Sequence, residues 1–106
     1  QEENMRAYYL ALSGIDVTKA TLLSTLYVDS GVEKTMFQKI RESNIALLED
    51  NIDIEGKIVD IKVTYDKGDD VITIDSTAPL GSGSTKTLSL QLEFSGNQFK
   101  EYWVMR

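Results

Sequence analysis

A chain of 106 residues with 42% hydrophobic and 26% charged side chains has room for one folded domain, and we expect residues 1–106 to form a single unit. Its 17 acidic residues outnumber its 11 basic ones, giving a net charge of -6 that repels phosphate backbones, so we expect no nucleic-acid partner. The absence of Cys and His removes disulfides, thiolate nucleophiles and the usual zinc ligands, and we therefore predict no enzyme, no catalytic site and no cofactor.

The first 28 residues are predicted to form a helical spine. No proline interrupts the chain from Glu2 to about Tyr27. Apolar residues recur there at spacings of three, four and seven, which is typical of one helix face: Tyr8, Ala11, Leu12, Ile15, Leu22, Leu23 and Leu26. A glycine inside a helix costs about 1 kcal/mol relative to alanine, so Gly14 is either a point of close packing or a tolerated defect.

Residues 29–56 are predicted to connect the helix to a sheet. The segment from Glu33 to Asp50 has an irregular helical pattern, which predicts a short helix inside this connection. Its apolar positions are Phe37, Ile40, Leu47 and Leu48.

Residues 57–106 change to the period of two that is typical of strands. In the first strand Val59, Ile61, Val63 and Tyr65 alternate with mostly polar residues. The segment from Asp66 to Asp70 is predicted to be a hairpin loop, and a β-branched strand from Val71 to Ser76 follows. The remaining elements are a glycine-rich connection over Ala78–Thr85, a strand with Leu88, Leu90, Leu92 and Phe94 on one face, a turn over Ser95–Gln98, and a last strand over Phe99–Met105.

Short loops make consecutive strands antiparallel neighbours, and an apolar sheet face needs a cover that the first helix can supply. The predicted fold class is therefore α+β, with a long N-terminal helix packed on a four-stranded antiparallel β-meander. In this arrangement the period of two buries Trp103 and exposes Tyr102. An aromatic patch made of Tyr65, Tyr102 and Trp103 is the alternative for these side chains.

Two motifs contain residues that bind ligands in other proteins. The loop Gly81–Thr87 is similar in composition to a phosphate-binding loop, but Thr85 stands where that loop needs glycine, and a strand follows instead of a helix. A flexible hairpin loop is the better interpretation. Two acidic clusters, Asp66/Asp69/Asp70 and Asp50/Asp53/Glu55, lack the twelve-residue ligand pattern of calcium loops, and we expect solvated turns and no metal site.

The stretch from Ala7 to Asp16 has the sequence AYYLALSGID. It resembles type IV minor pilins and tip pseudopilins, in which an Ala-Tyr-Tyr-like run leads into Ala-Glu-Ser-Gly-Ile or Ala-Glu-Ala-Gly-Ile. The resemblance covers about a quarter of the chain, and the strand end Ile74–Thr77 with its glycine-rich loop is also similar. This chain has Leu12 where family members often have Glu, so any role of that acid is not carried over.

The resemblance implies a structural subunit of a type IV pilus or related filament, with a role in filament initiation, assembly or adhesion. It implies an apolar half-helix before Gln1 that anchors the subunit in a membrane, so that the chain meets the membrane only through that segment. The implied partners are other pilin subunits and the pilus assembly machinery. The implied location is the cell surface, in an extracellular filament. The alternative is a soluble extracellular binding module, adhesin-like or solute-binding, that takes no part in a filament.

Overall fold

The computed structural model describes residues 2–24, 26–81 and 83–104. Two helices and seven strands follow one another along the chain: α1 (Glu2–Ser24), β1 (Leu26–Asp29), β2 (Val32–Thr35), α2 (Met36–Glu42), β3 (Leu47–Ile54), β4 (Lys57–Asp66), β5 (Val71–Pro79), β6 (Thr85–Ser95) and β7 (Gln98–Val104). Strands β3 to β7 form one antiparallel sheet in sequence order, and β1 and β2 form a separate antiparallel hairpin.

Helix α1 covers one face of the five-stranded sheet. It packs mainly on β5 and β6, less on β4, and hardly on β3. Its buried positions recur at helical spacing and include Ala11, Ile15 and Leu22, as the apolar pattern predicts. The facing sheet residues are the alternating positions of β4, β5 and β6, among them Val59, Ile61, Val63, Ile72, Ile74, Leu90 and Leu92.

Gly14 lies where α1 comes closest to the sheet. A Cβ atom on this residue would stand 2.3 Å from the Ser76 hydroxyl oxygen and 3.0 Å from Val59 Cγ1. The first distance is too short for a carbon atom and the second is unusually tight, so the close-packing interpretation of this glycine is correct.

The prediction of a four-stranded meander is wrong. The sheet has a fifth strand, β3, which lies within the segment predicted to be a connection and carries Leu47 and Leu48. It is an edge strand with most side chains exposed, so its sequence lacks the alternation of a half-buried strand. Asp and Asn, which are depleted in strands, obscure it further. The helix in this segment, α2, spans only Met36–Glu42.

The predicted helical spine over residues 1–28 is also too long. Helix α1 ends at Ser24, and the chain continues into the hairpin of β1 and β2. Ser30 (φ 54°) and Gly31 (φ 81°) both take left-handed backbone conformations, which match the right-handed strand twist in a two-residue turn. Leu26 is therefore a strand residue, 56% exposed, and does not belong to the buried helix face.

The alternating strands are found as predicted. Val59, Ile61 and Val63 are buried on β4, and Leu90 and Leu92 are buried on β6. Strand β5 extends beyond its predicted end to Pro79, and β6 begins at Thr85, which shortens the predicted connection between them. Met105 lies outside the described residues.

Candidate assembly interface

Helix α1 has a second apolar stripe on the side away from the sheet. Tyr8 and Tyr9 follow Met5 by three and four positions, about one helical turn, and the three side chains Met5, Tyr8 and Tyr9 are 74%, 49% and 52% exposed. Their spacing continues to Leu12, which is half-buried. The prediction that Tyr8 covers the sheet is therefore wrong, because Ala7, Leu10 and Ala11 occupy the buried face at this level. We call Met5, Tyr8 and Tyr9 the α1 aromatic face.

Trp103 is an exposed aromatic side chain on the sheet. It pairs with the buried Leu90, so it stands on the helix side of the edge strand β7, yet it is 53% exposed. Lys19 Nζ lies 2.6 Å from Glu101 Oε2 of the same strand. Because Tyr8 and Lys19 are eleven residues apart, about three helical turns, both lie on the β7 side of α1. The aromatic face and Trp103 therefore lie on the same side of the domain.

The predicted burial of Trp103 is wrong because of where its strand lies. A period of two correctly assigns the side chain to the inner face, but one helix covers only the central strands. At the other end of β7, Phe37 of α2 covers the sheet instead. Its ring packs against Phe94 and Phe99 at centroid distances of 5.7 and 6.0 Å. Tyr102 is exposed on the outer face, as predicted.

Both edges of the sheet carry an acidic residue on the helix side. Asp50 of β3 pairs with buried Ile61, and Glu101 of β7 pairs with buried Leu92. A charge that points toward the inner face of an edge strand makes it unfavourable for another strand to add there. Growth of the sheet by edge pairing is therefore disfavoured, and the uncovered surface of α1 is the better candidate for contacts with another protein.

A polar cluster joins α2 to the turn between β4 and β5. The Arg41 guanidinium donates from Nε and Nη2 to the two oxygens of Asp70, at 2.9 and 2.7 Å. Tyr65 donates its hydroxyl to the same carboxylate at 2.8 Å. The hydrogen bond from Arg41 lowers the pKa of Asp70, whereas burial and the bond to Asp70 raise the pKa of Tyr65.

This cluster has the contacts of a structural clamp. The Tyr65 hydroxyl and both carboxylate oxygens of Asp70 form hydrogen bonds within the protein. The Arg41 guanidinium also lies 4.3 Å from the centre of the Phe94 ring. Helix α2 is further held by a capping box, in which Thr35 and Gln38 exchange hydrogen bonds. The sequence showed no sign of the cluster, because Arg41 and Asp70 are 29 positions apart.

Asp53 and Asp66, one from each acidic cluster, stabilise the turns in which they lie. Asp66 accepts hydrogen bonds from the amides of Gly68 and Asp69, and Asp53 accepts one from Gly56. Among residues 2–24, 26–81 and 83–104, no group of three or more acidic side chains could hold a metal ion. The phosphate-loop interpretation of Gly81–Thr87 is not supported, since the segment from Thr85 onward is strand β6.

Within the described part of the chain, no helix is long and apolar enough to cross a membrane. Comparison with protein-family models, with curated proteins and with solved structures found no match to this chain. The case for a function therefore rests on the surfaces described above and on the resemblance of residues 7–16.

Proposed function

We propose that this chain is a structural subunit of a surface filament of the type IV pilus class, and that the α1 aromatic face forms part of its contact with neighbouring subunits. The observation that carries the proposal is the second apolar stripe of α1. A helix whose buried face already packs on its own sheet gains nothing in the monomer from exposing Met5, Tyr8 and Tyr9.

The chemistry of this surface supports the proposal. Tyrosine and tryptophan are the residues most enriched at the centres of protein interfaces, and here Tyr8, Tyr9 and Trp103 are all about half exposed. The resemblance of residues 7–16 to minor pilins concerns the same turns of the helix. The inward acids Asp50 and Glu101 favour contacts through the helix over contacts through the sheet edges.

The test is incorporation into filaments in the organism. Tyr8→Asp and Tyr9→Asp together should reduce the amount of this protein in sheared filaments, or at their base by immunogold labelling, by on the order of tenfold, because a desolvated charge opposes an apolar contact. Tyr102→Asp is the matched control, since Tyr102 is 45% exposed but lies on the outer sheet face.

Deletion of the gene should reduce piliation or alter adhesion. Recovery of the protein free of both membrane and filaments would contradict the proposal and favour the alternative, a soluble extracellular binding module. Equal incorporation of the double variant and the parent would show that the aromatic face is not the contact.

A further inference from the structure

A second uncovered apolar surface lies between α1 and the edge strand β3. It is a groove of about 380 Å³, within the range of pockets that bind ligands. We call it the α1–β3 groove. Its apolar walls and floor come from the helix, from β3 and from β4: Val17, Leu22, Leu48, Ile52, Ile61 and Val63.

The width of the sheet explains why the groove exists and what fits it. Helix α1 packs mainly on β5 and β6. Neighbouring strands are about 4.8 Å apart, and packed helices lie about 8–10 Å apart. A second helix beside α1 would therefore lie over β3 and β4, which is where the groove is.

The hydroxyl of Thr18 lies in the helix wall of this groove without a partner. Thr18 is only 8% exposed, and its Oγ1 makes no hydrogen bond in the described structure. A buried hydroxyl that makes no hydrogen bond is unfavourable, and such groups are rare in folded proteins. Because this oxygen is enclosed by the protein, it is an unsatisfied group of the core and offers no contact to a partner.

The opposite rim of the groove carries an unneutralised charge. Asp50 stands on the helix side of β3, and among the described residues its carboxylate accepts one hydrogen bond, from the amide of Asn51 at 2.8 Å. Its counterpart on β7, Glu101, is neutralised by Lys19 of α1 at 2.6 Å. Among the residues that the structure describes, no cation lies within ion-pair distance of Asp50.

We propose that the α1–β3 groove binds an amphipathic helix of a partner protein. Its aliphatic stripe packs on Leu48, Ile52 and the floor of the groove, and a lysine or arginine pairs with Asp50. The groove is distinct from the α1 aromatic face, so the inference stands whether or not the chain assembles into filaments.

The probe is a synthetic helical peptide of about 18 residues, long enough to hold a helix once docked. It carries leucine at alternating spacings of three and four and one lysine at the edge of this stripe. Titration into the ¹⁵N-labelled domain should shift the amides of Thr18, Thr21 and Leu48 in proton–nitrogen spectra. A matched peptide with glutamate for lysine should bind on the order of tenfold more weakly.

Exchanging the charges on the domain and the peptide distinguishes specific binding from non-specific apolar association. Asp50→Lys, at an exposed position that leaves the fold intact, should reverse the preference, so that the glutamate peptide binds more tightly. The inference would be overturned if neither peptide shifted the amides at the groove, or if Asp50→Lys still preferred the lysine peptide. Concentration-dependent shifts without peptide would also overturn it, because they would identify a second copy of this chain as the occupant.

Discussion

Helix α1 packs tightly on the sheet at Gly14 and Ser76. A Cβ atom on Gly14 would stand 2.3 Å from Ser76 Oγ. Ser76 is fully buried, and its hydroxyl has no hydrogen-bond partner among the described residues. Two small residues therefore allow α1 to lie directly on β5, where larger ones would hold the helix away from the core.

Gly14→Ala should destabilise the domain by about 1–3 kcal/mol, because overpacking outweighs the roughly 1 kcal/mol gained in helix propensity. Urea unfolding followed by circular dichroism measures the effect. In a Ser76→Ala background the loss should be smaller by about 1 kcal/mol, since the hydroxyl in the way is gone. A Gly14→Ala protein as stable as the parent would show that the helix can move outward without loss.

Leu22→Asp should lower the free energy of unfolding by about 3–5 kcal/mol. Leu22 is only 7% exposed, on the face of α1 that packs on the sheet, so the change buries a carboxylate among apolar side chains. Leu23→Asp is the matched control. Leu23 is 42% exposed, so the same substitution one position later should cost less than about 1 kcal/mol. Thermal melts of the two variants check this, and equal melting temperatures would contradict the assignment of the buried face.

Asp70→Asn should destabilise the domain by about 1–2 kcal/mol at pH 7, a value kept low because the Asp70 side chain is about one-third exposed. Asparagine tolerates the positive φ of 56° at this position, so the change tests the charge and not the backbone.

The same pair of proteins gives a pH dependence of defined sign. The pKa of Asp70 is lower in the folded state than in the unfolded chain, so its contribution is complete above the unfolded value of about 3.9 and is lost as the pH falls toward the folded value. The parent should therefore lose more stability than Asp70→Asn between about pH 5 and pH 2 in urea titrations. Parallel curves would mean that Arg41 and Tyr65 do not stabilise the carboxylate.

Trp103 is the only tryptophan of the chain, so its fluorescence reports on one site. Because the ring is 53% exposed, the emission of the folded monomer should be close to that of the unfolded chain, and acrylamide should quench it nearly as well as it quenches a free tryptophan derivative. A blue-shifted, protected emission that persists on dilution would contradict the exposed position. A blue shift only at high concentration would show that Trp103 lies in a contact between copies.

The sequence by itself determined the elements whose pattern depends on one buried face. The helical spacing of Ala11, Ile15 and Leu22 and the alternation along β4 and β6 follow directly from burial against a single partner. Strand β3 was missed because an edge strand exposes both faces and loses this alternation. Glu55 and Gly56, both with positive φ, form the two-residue turn that could have indicated it.

Only the tertiary structure decided which parts of the inner sheet face α1 leaves uncovered. The pattern places Trp103 on the inner face of the sheet but contains no information on how many strands one helix spans. Because α1 is narrower than a five-stranded sheet, the inner faces of β3 and β7 extend beyond it, which exposes Trp103 on one side and opens the α1–β3 groove on the other. The pairing of Arg41 with Asp70 likewise depends on chain positions that only folding brings together.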